Sequence, residues 1–410
     1  MKLPDRPLRV TMVNKYYSPP HLGGVETVVR TLSEGLVEDA GARVRALVSN
    51  ESRVCAEETI GGVDVVRLPR HLSLSSAPVA AGMPGALRDE MTRIGPAGPE
   101  PPDVVNLHSP YPWGELSFLR ASPAVPSVVL YHSDIVRQKR LLAAYRPFLE
   151  RFLDRVDLIV TSSPNIVRHS QLLAPRAEKC RVVPFGLPAR SLAAAPAVLR
   201  RAAELRAARE GRRTVLFVGR LVYYKGVDVL VRAMAGVDAD LVLIGHGPLE
   251  GELRQLASSA GIATRVDFLA PQSDDELAAW YHAADVFCLP SVARSEAFGL
   301  VQIEAHAAGT PVVSTDLPTG VPFANRDGVT GLIVQPGDQL ALAAALSRLL
   351  GDDELRARLG GQAQTRALRE FTVPRMVART LDVYAEAIER HAARAAASPR
   401  ARDAAGQGST

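Results

Sequence analysis

Two glutamates, Glu296 and Glu304, stand eight residues apart in the stretch PSVARSEAFGLVQIEAHAAGTPVV (290–313). Paired carboxylates suit two kinds of sugar chemistry. They can flank a glycosidic bond as acid and base or nucleophile, or accept hydrogen bonds from sugar hydroxyls. Upstream, Arg220 and Lys225 lie five residues apart in VGRLVYYKG (218–226). Two such cations can clamp a diphosphate and offset the charge on a departing one; a solvated surface pair is the plainer alternative. Gly23 and Gly24 close the loop NKYYSPPHLGGVE (14–26) just before a helical pattern. Glycines there admit close backbone approach, and a helix N-terminus suits a phosphate. A flexible turn explains them equally well. The chain has no GxGxxG fingerprint, GxxxxGK[ST], HExxH or GxSxG, which counts against a nicotinamide enzyme.

These residues follow short apolar runs. The first series is LRVTMV (8–13), RVRALV (43–48), DVVNLH (103–108), SVVLYH (127–132), DLIVTS (157–162) and RVVPF (181–185). The second is TVLFVG (214–219), LVLIG (241–245), RVDFLA (265–270), DVFCLP (285–290), PVVST (311–315) and GLIV (331–334). Most do not alternate, as expected of parallel strands buried on both faces. Helical patterns separate them, for example 25–39, 252–261 and 339–351. The alternation predicts an α/β protein of two doubly wound domains. Ligands of such sheets sit at the carboxyl ends of the strands, where the residues above fall. The boundary is expected near Pro188, with domains over 1–190 and 191–370. Residues 70–102, rich in Pro, Gly, Ser and Ala, read as an insertion. Residues 371–394 read as an amphipathic C-terminal helix, and 395–410 as a disordered tail.

Composition narrows the class. The 410 residues are 47% hydrophobic and 22% charged, ordinary for a globular protein. No run approaches the ~20 apolar residues of a membrane span. Pro and Asp interrupt the N-terminus where a signal peptide needs an apolar stretch, so a cytoplasmic location is expected. Cys55, Cys180 and Cys288 are far apart and suggest neither a disulfide framework nor a zinc site. The formal charge is +4. Arg390, Arg394, Arg400 and Arg402 against Asp403 put +3 of it in the last 21 residues. That leaves no basic face for nucleic acid. The one DxD string, Asp238-Ala239-Asp240, precedes a strand and so sits at the wrong end of the sheet for a metal site. No metal is expected, since Arg220 and Lys225 offer fixed cations.

The segment SEAFGLVQIEA resembles the E-x7-E signature of the family 4 glycosyltransferases, retaining enzymes of GT-B architecture. The resemblance runs over about 8–390. It includes GGVE (23–26), YHSD with His132, VVPFG (182–186), GRLVYYKG (219–226), IGHGPLE (244–250) and SEAFGLVQIEAHAAGTPVVST (295–315). It implies two Rossmann-like domains facing across a cleft, the first for the acceptor and the second for a nucleotide-sugar donor. It assigns roles residue by residue. Glu296 would accept hydrogen bonds from the donor sugar and Glu304 would hold the ribose. Arg220 and Lys225 would bind the diphosphate. The backbone of Phe298, Gly299 and Leu300 would contact sugar and phosphates. Gly23 and Gly24 would complete the diphosphate site, His132 would reach the sugar, and Gly245 and Gly247 would border the nucleotide. The C-terminal helix would cross back to the first domain.

The expected activity is therefore retaining, metal-independent hexosyl transfer. The donor would be GDP-mannose or a UDP-sugar, the acceptor a hydroxyl in bacterial polysaccharide, glycolipid or secondary-metabolite synthesis. STDLPTGVP (314–322) leans towards mannosyl or rhamnosyl enzymes. A sugar-phosphate synthase with a soluble phosphorylated acceptor and a non-catalytic nucleotide-sugar binder stay open. The acceptor is expected near 70–102, Tyr111-Pro112-Trp113 and the basic stretch 135–155. That stretch, with Arg137, Lys139, Arg140, Arg146, Arg151 and Arg155, reads as peripheral membrane contact or as a solvated face relieved by Glu150 and Asp154.

Overall fold

A computed structural model of the chain describes residues 3–20, 23–74, 77–95, 98–135, 139–188 and 195–397. These residues form two compact units. The first comprises 1–162, 170–184 and the segment from 373 onward; the second comprises 163–169 and 185–372. The chain visits the second unit briefly over 163–169, passes to it again after Pro184 and returns to the first after Thr372.

The first unit is built on an eight-stranded sheet. Its strands are β1 (Arg9–Val13), β2 (Arg43–Ser49), β3 (Ala56–Ile60), β4 (Val63–Leu68), β5 (Val104–Ser109), β6 (Ser127–Tyr131), β7 (Leu158–Thr161) and β8 (Cys180–Val182). The spatial order is β8-β7-β6-β5-β1-β2-β4-β3. All neighbours are parallel except the edge pair β3–β4. The order reverses between β1 and β5, so loops leaving the carboxyl ends of these strands diverge and open a ligand crevice. Helices α1 (Gly24–Ala40), α2 (Met83–Met91), α3 (Pro112–Ala121) and α4 (Lys139–Arg155) connect the strands.

The six expected strands of this unit are present. The β3–β4 hairpin is additional. It turns on Gly61 and Gly62, both at positive φ (56° and 78°), as a two-residue hairpin loop requires. The 70–102 insertion contains hairpins Leu72–Val79 and Ile94–Pro99 flanking α2. Trp113 fastens it, its Nε1 donating to the Ala80 carbonyl at 2.6 Å. Tyr111, expected to meet an acceptor, is instead a core residue with its hydroxyl on Ser49 Oγ at 2.8 Å.

A C-terminal helix, Val373–Ala396, completes the first unit. It lies so close to α1 that a Cβ at Gly35 would come within 2.5 Å of Val373 Cγ1 and 2.9 Å of Val377 Cγ2. Arg181 pairs with its Glu386, and Asp157 receives His391 and Arg394. The tail beyond Ala397 and residues 189–194 lie outside the described residues.

The second unit is a six-stranded parallel sheet. Its strands are β9 (Thr214–Val218), β10 (Asp240–Ile244), β11 (Val266–Leu269), β12 (Val286–Leu289), β13 (Val312–Thr315) and β14 (Gly331–Val334). The order β11-β10-β9-β12-β13-β14 is the dinucleotide-fold order, with its switch point between β9 and β12. The helices are α5 (Pro196–Ala207), α6 (Val227–Ala233), α7 (Glu250–Ser259), α8 (Asp274–Ala283), α9 (Leu300–Ala307), α10 (Val321–Ala324), α11 (Gln339–Gly351) and α12 (Asp353–Glu370). Central strands such as VLF and LVLI are buried on both faces, which explains their unbroken apolar runs. Asp238 and Asp240 lie at the amino end of β10, where Arg212 pairs with both.

Candidate functional site

In the second unit, β9 and β12 flank the switch point, and the loops leaving them are locked together. After β9 the chain makes a single turn over Tyr223–Lys225 and reaches Gly226 at φ 63°. A Cβ at Gly226 would lie 2.2 Å from the Pro290 carbonyl oxygen, so only glycine permits this approach. Val292 N–H then donates to the Tyr224 carbonyl at 2.8 Å. This docking sets Lys225 Nζ 2.6 Å from Glu296 Oε2. Ser291 Oγ donates to the same oxygen at 2.9 Å. Both members of the pair are buried, 8% and 7% exposed, so they face each other with little water to screen them. Arg220 is exposed, and its guanidinium has no partner among the described residues.

Gly299 has φ 74° and starts α9, while Phe298 is buried against Phe185 and Phe371. The anchored phenylalanine fixes where Leu300 begins the helix and where its first-turn N–H groups point. Glu304 is the fifth residue of α9, little more than one turn inside it. Tyr281, buried on α8, donates its hydroxyl to Glu304 Oε2 at 2.6 Å. Burial pushes the Glu304 carboxyl above the usual range, and the Tyr281 hydrogen bond opposes that shift.

Gly245 and Gly247 follow β10. A Cβ at Gly245 would sit 2.1 Å from the Gly219 carbonyl oxygen, and one at Gly247 2.3 Å from that of Leu221. These glycines let the ends of β9 and β10 touch, which holds the Arg220 loop in place.

The first unit carries the remaining candidates. Gly23 caps α1 and Gly24 opens it, with open space around the Cβ position of Gly24. His132 is buried just beyond β6, its Nε2 3.0 Å from Nδ1 of His108. Desolvation lowers the His132 imidazole to about 3, so it is neutral at physiological pH. Among the described residues no three His, Cys, Asp or Glu gather as a metal-ligand group.

The sequence reading missed Tyr281, Ser291, Asn106 and His108. Tyr281 is 23 positions from its partner Glu304, and no spacing rule joins residues on two separate helices. Asn106 and His108 did leave a signal, since two polar residues alternate on an otherwise apolar buried strand.

The models of known families match nearly all of this arrangement. That described as "Glycosyltransferase Family 4" covers residues 22–190, and that described as "Glycosyl transferases group 1" covers 202–366. The O-antigen chain mannosyltransferase C of Escherichia coli is 32% identical over 387 residues, spanning 93% of this chain and 99% of that one. The chain belongs to the family 4 glycosyltransferases. This glycosyltransferase is also 33% identical over 365 residues to the D-rhamnosyltransferase WbpZ of Pseudomonas aeruginosa, covering 89% and 92% of the two chains. Its fold is that of the sucrose-phosphate synthase of Thermosynechococcus elongatus, with TM-score 0.76 and 24% identity over 92% of this chain and 98% of that one. The two-domain GT-B fold and the hexosyltransferase class thus stand for this chain.

A prediction follows for Tyr281. In Tyr281→Phe, Glu304 keeps its place but loses the hydrogen bond from the Tyr281 hydroxyl. Nucleotide affinity is expected to fall about 2- to 12-fold, the net worth of one ordinary hydrogen bond, with kcat nearly unchanged. Calorimetric titration of the nucleotide checks this.

Proposed function

We propose that this glycosyltransferase moves a mannosyl or related hexosyl unit from a nucleotide-diphosphate sugar, GDP-linked in preference to UDP-linked, to an acceptor hydroxyl in bacterial polysaccharide assembly. The carrying observation is the Lys225–Glu296–Ser291 cluster beside exposed Arg220 at the carboxyl edge of the second sheet. The full-length likeness to mannosyl- and rhamnosyltransferases supports the choice of sugar.

In this reading the bond from the anomeric carbon to the diphosphate oxygen breaks, and the acceptor oxygen bonds to that carbon with retention. The acceptor proton passes to the departing phosphate. Lys225 and Arg220 stabilise the charge that develops there. Glu296 holds the sugar hydroxyls through Oε1, because Oε2 is engaged by Lys225 and Ser291. Glu304 holds the ribose, and the α9 N-terminus with Phe298, Gly299 and Leu300 faces the phosphates. Gly245 and Gly247 border the nucleotide, Gly23 and Gly24 offer backbone N–H groups, and His132 donates a hydrogen bond to the transferred sugar. No divalent ion and no cofactor take part.

A thermal-shift panel of GDP, UDP, ADP and dTDP with their sugars, in EDTA, tests this. A nucleotide at 100 times its Kd stabilises by about 2.7 kcal/mol, so GDP is expected to raise the midpoint clearly. A response to UDP alone would move the donor to that base. Silence with every nucleotide would overturn the metal-free donor site.

We further propose α4 as the surface that meets an anionic lipid interface. Phe148 is 51% exposed on the same helix as exposed Arg146 and Arg151. Glu150 offsets Arg146, whereas Asp154 is turned to Arg176. Arg137 and the side chains of Lys139 and Arg140 lie outside the described residues. No helix among the described residues is long and apolar enough to cross a membrane. Flotation with anionic vesicles is expected to drop several-fold in Phe148→Ser/Arg151→Gln; unchanged flotation would leave α4 a solvated face.

A further inference from the structure

A groove of about 440 Å³ runs between the loop 326–330 and one face of α12 in the second unit. The loop leads into β14, so it lies at the amino ends of these parallel strands. Arg220, Lys225 and Glu296 follow the carboxyl ends of β9 and β12, at the opposite end of the sheet. Both walls are firmly held. Gly328 takes φ 67°. Thr330 Oγ1 accepts the Arg326 N–H at 2.7 Å and donates to Asn325 Oδ1 at 2.9 Å. On α12, Arg358, Gln362, Thr365 and Arg369 recur every three or four residues and share one face. Arg366 forms the floor, 5% exposed. Its Nη1 and Nη2 donate to the carbonyls of Ala324 and Phe323 at 2.5 Å and 2.9 Å.

The charges in this groove do not balance. Arg366 Nε meets Glu370 Oε2 at 3.0 Å, and Arg369 meets the other oxygen, Oε1, at 2.9 Å. Glu370 is therefore engaged by two arginines. Arg326 and Arg358 are exposed, and their guanidiniums make no hydrogen bond or ion pair among the described residues. Four guanidiniums thus share the lining with one carboxylate. The acidic residues nearest in sequence do not help. Asp327 accepts the Ile333 N–H at 2.9 Å, and Glu354, one turn before Arg358, is not part of the lining. Elsewhere in this unit, Arg201, Arg209, Arg212, Arg213 and Arg356 each meet an acidic side chain. Burial, then Arg326 and Arg369, lower the Arg366 guanidinium below its ordinary value. Positive charge concentrated in a concave site attracts an anion.

We infer that this groove binds a phosphate monoester, at a site separate from that of the donor nucleotide. Arg326 reaches in from the loop and Arg358 from the helix, so the two guanidiniums stand on opposite walls with their donors open. Guanidinium forks match phosphate oxygens in pairs. A phosphate monoester carries close to two negative charges at neutral pH, which suits a groove with three positive charges in excess. The volume falls in the range of small-molecule sites, about 300–1,000 Å³. Val329, 44% exposed, and Ala357 give an apolar patch of wall for the organic part of the ester. None of these residues belongs to the donor site, so the inference does not rest on the transferase reading given above.

A 31P NMR titration of the full-length chain with inorganic phosphate, at constant ionic strength, tests this. Arg220→Gln is the starting protein, because it weakens phosphate binding at the donor site. Saturable binding is expected there. Adding Arg326→Gln and Arg358→Gln should weaken it at least tenfold, the order of one hydrogen bond to a charged group. No saturable binding, or binding that the added pair leaves unchanged, would overturn the site. Arg326 and Arg358 hold no other element in place, so the unfolding temperature should not move. Gly361→Glu is a second, independent variant. Gly361 lines the groove with open space at its Cβ position, and a carboxylate there should also abolish phosphate binding. Two further arms identify the source of the phosphate. Glycerol 1-phosphate binding in solution assigns a soluble ester. Flotation with phosphatidic acid vesicles in the Phe148→Ser/Arg151→Gln background, lost with Arg326→Gln/Arg358→Gln, assigns a lipid headgroup; either result upholds the groove. Failure of GDP to bind would sink the donor reading and leave this result untouched.

Discussion

Lys225→Met is expected to lower kcat about 10²- to 10³-fold, the usual effect of removing one donor from a developing oxyanion. It should also destabilise the second unit by about 3–5 kcal/mol, because it strands a buried carboxylate. Lys225 and Glu296 are 2.6 Å apart and both buried, so neither charge is well solvated alone. The double variant Lys225→Met/Glu296→Gln separates the two effects. With both charges gone, stability should return to within about 1 kcal/mol of the parent, as for other buried pairs replaced together. Activity should not return, because the phosphate clamp and the sugar-facing carboxylate are both missing. Thermal unfolding and steady-state kinetics on the parent and the two variants check this. Recovery of activity in the double variant would show that Lys225 serves only to neutralise Glu296.

Gly245→Ala should be the most damaging of the glycine substitutions at this edge. Its φ is 140°, a region nearly closed to alanine, and the added methyl would meet the Gly219 carbonyl at 2.1 Å. Either β9 or β10 must shift. Strain and overpacking together are expected to cost about 3 kcal/mol or more. Because Arg220 follows Gly219 directly, nucleotide affinity should fall as well, by about tenfold. Gly361→Ala is the matched control. Gly361 lies inside α12 with nothing near its Cβ position, so alanine should stabilise by about 0.5–1 kcal/mol. A rise in unfolding temperature at Gly361 and a fall at Gly245 would separate backbone strain from general intolerance.

All twelve apolar runs became strands, and the central ones are buried on both faces, where a strand must be apolar throughout. Of the two strands of the hairpin that escaped notice, Ala56–Ile60 is the opposite case. Its sequence AEETI is mostly exposed at a sheet edge, where no apolar pattern is required. The Gly61-Gly62 pair was the available clue to its hairpin. The local cations and carboxylates were legible from their position after strands. What joins them was not. Ser291 and Tyr281 act through hydrogen bonds to Glu296 and Glu304, and those depend on loop docking and helix packing rather than spacing. The docking itself hangs on Gly226, whose sequence context, YYKGV, does not announce a carbonyl 2.2 Å from its missing Cβ. Tyr111 shows the converse error, since an aromatic cluster after a strand can be core rather than binding surface.

The return of the C-terminal helix to the first unit has a consequence for synthesis. A ribosome finishes the second unit at Thr372 before it makes the helix that the first unit lacks. Residues 185–372 emerge in between, which at 5–20 residues per second takes roughly 10–40 s. Through that interval the groove beside Gly35 of α1 is without Val373 and Val377, and Asp157 without His391 and Arg394. The half begun first is thus the half completed last, and an mRNA cut short after codon 372 would yield a finished second unit carrying an unfinished first one.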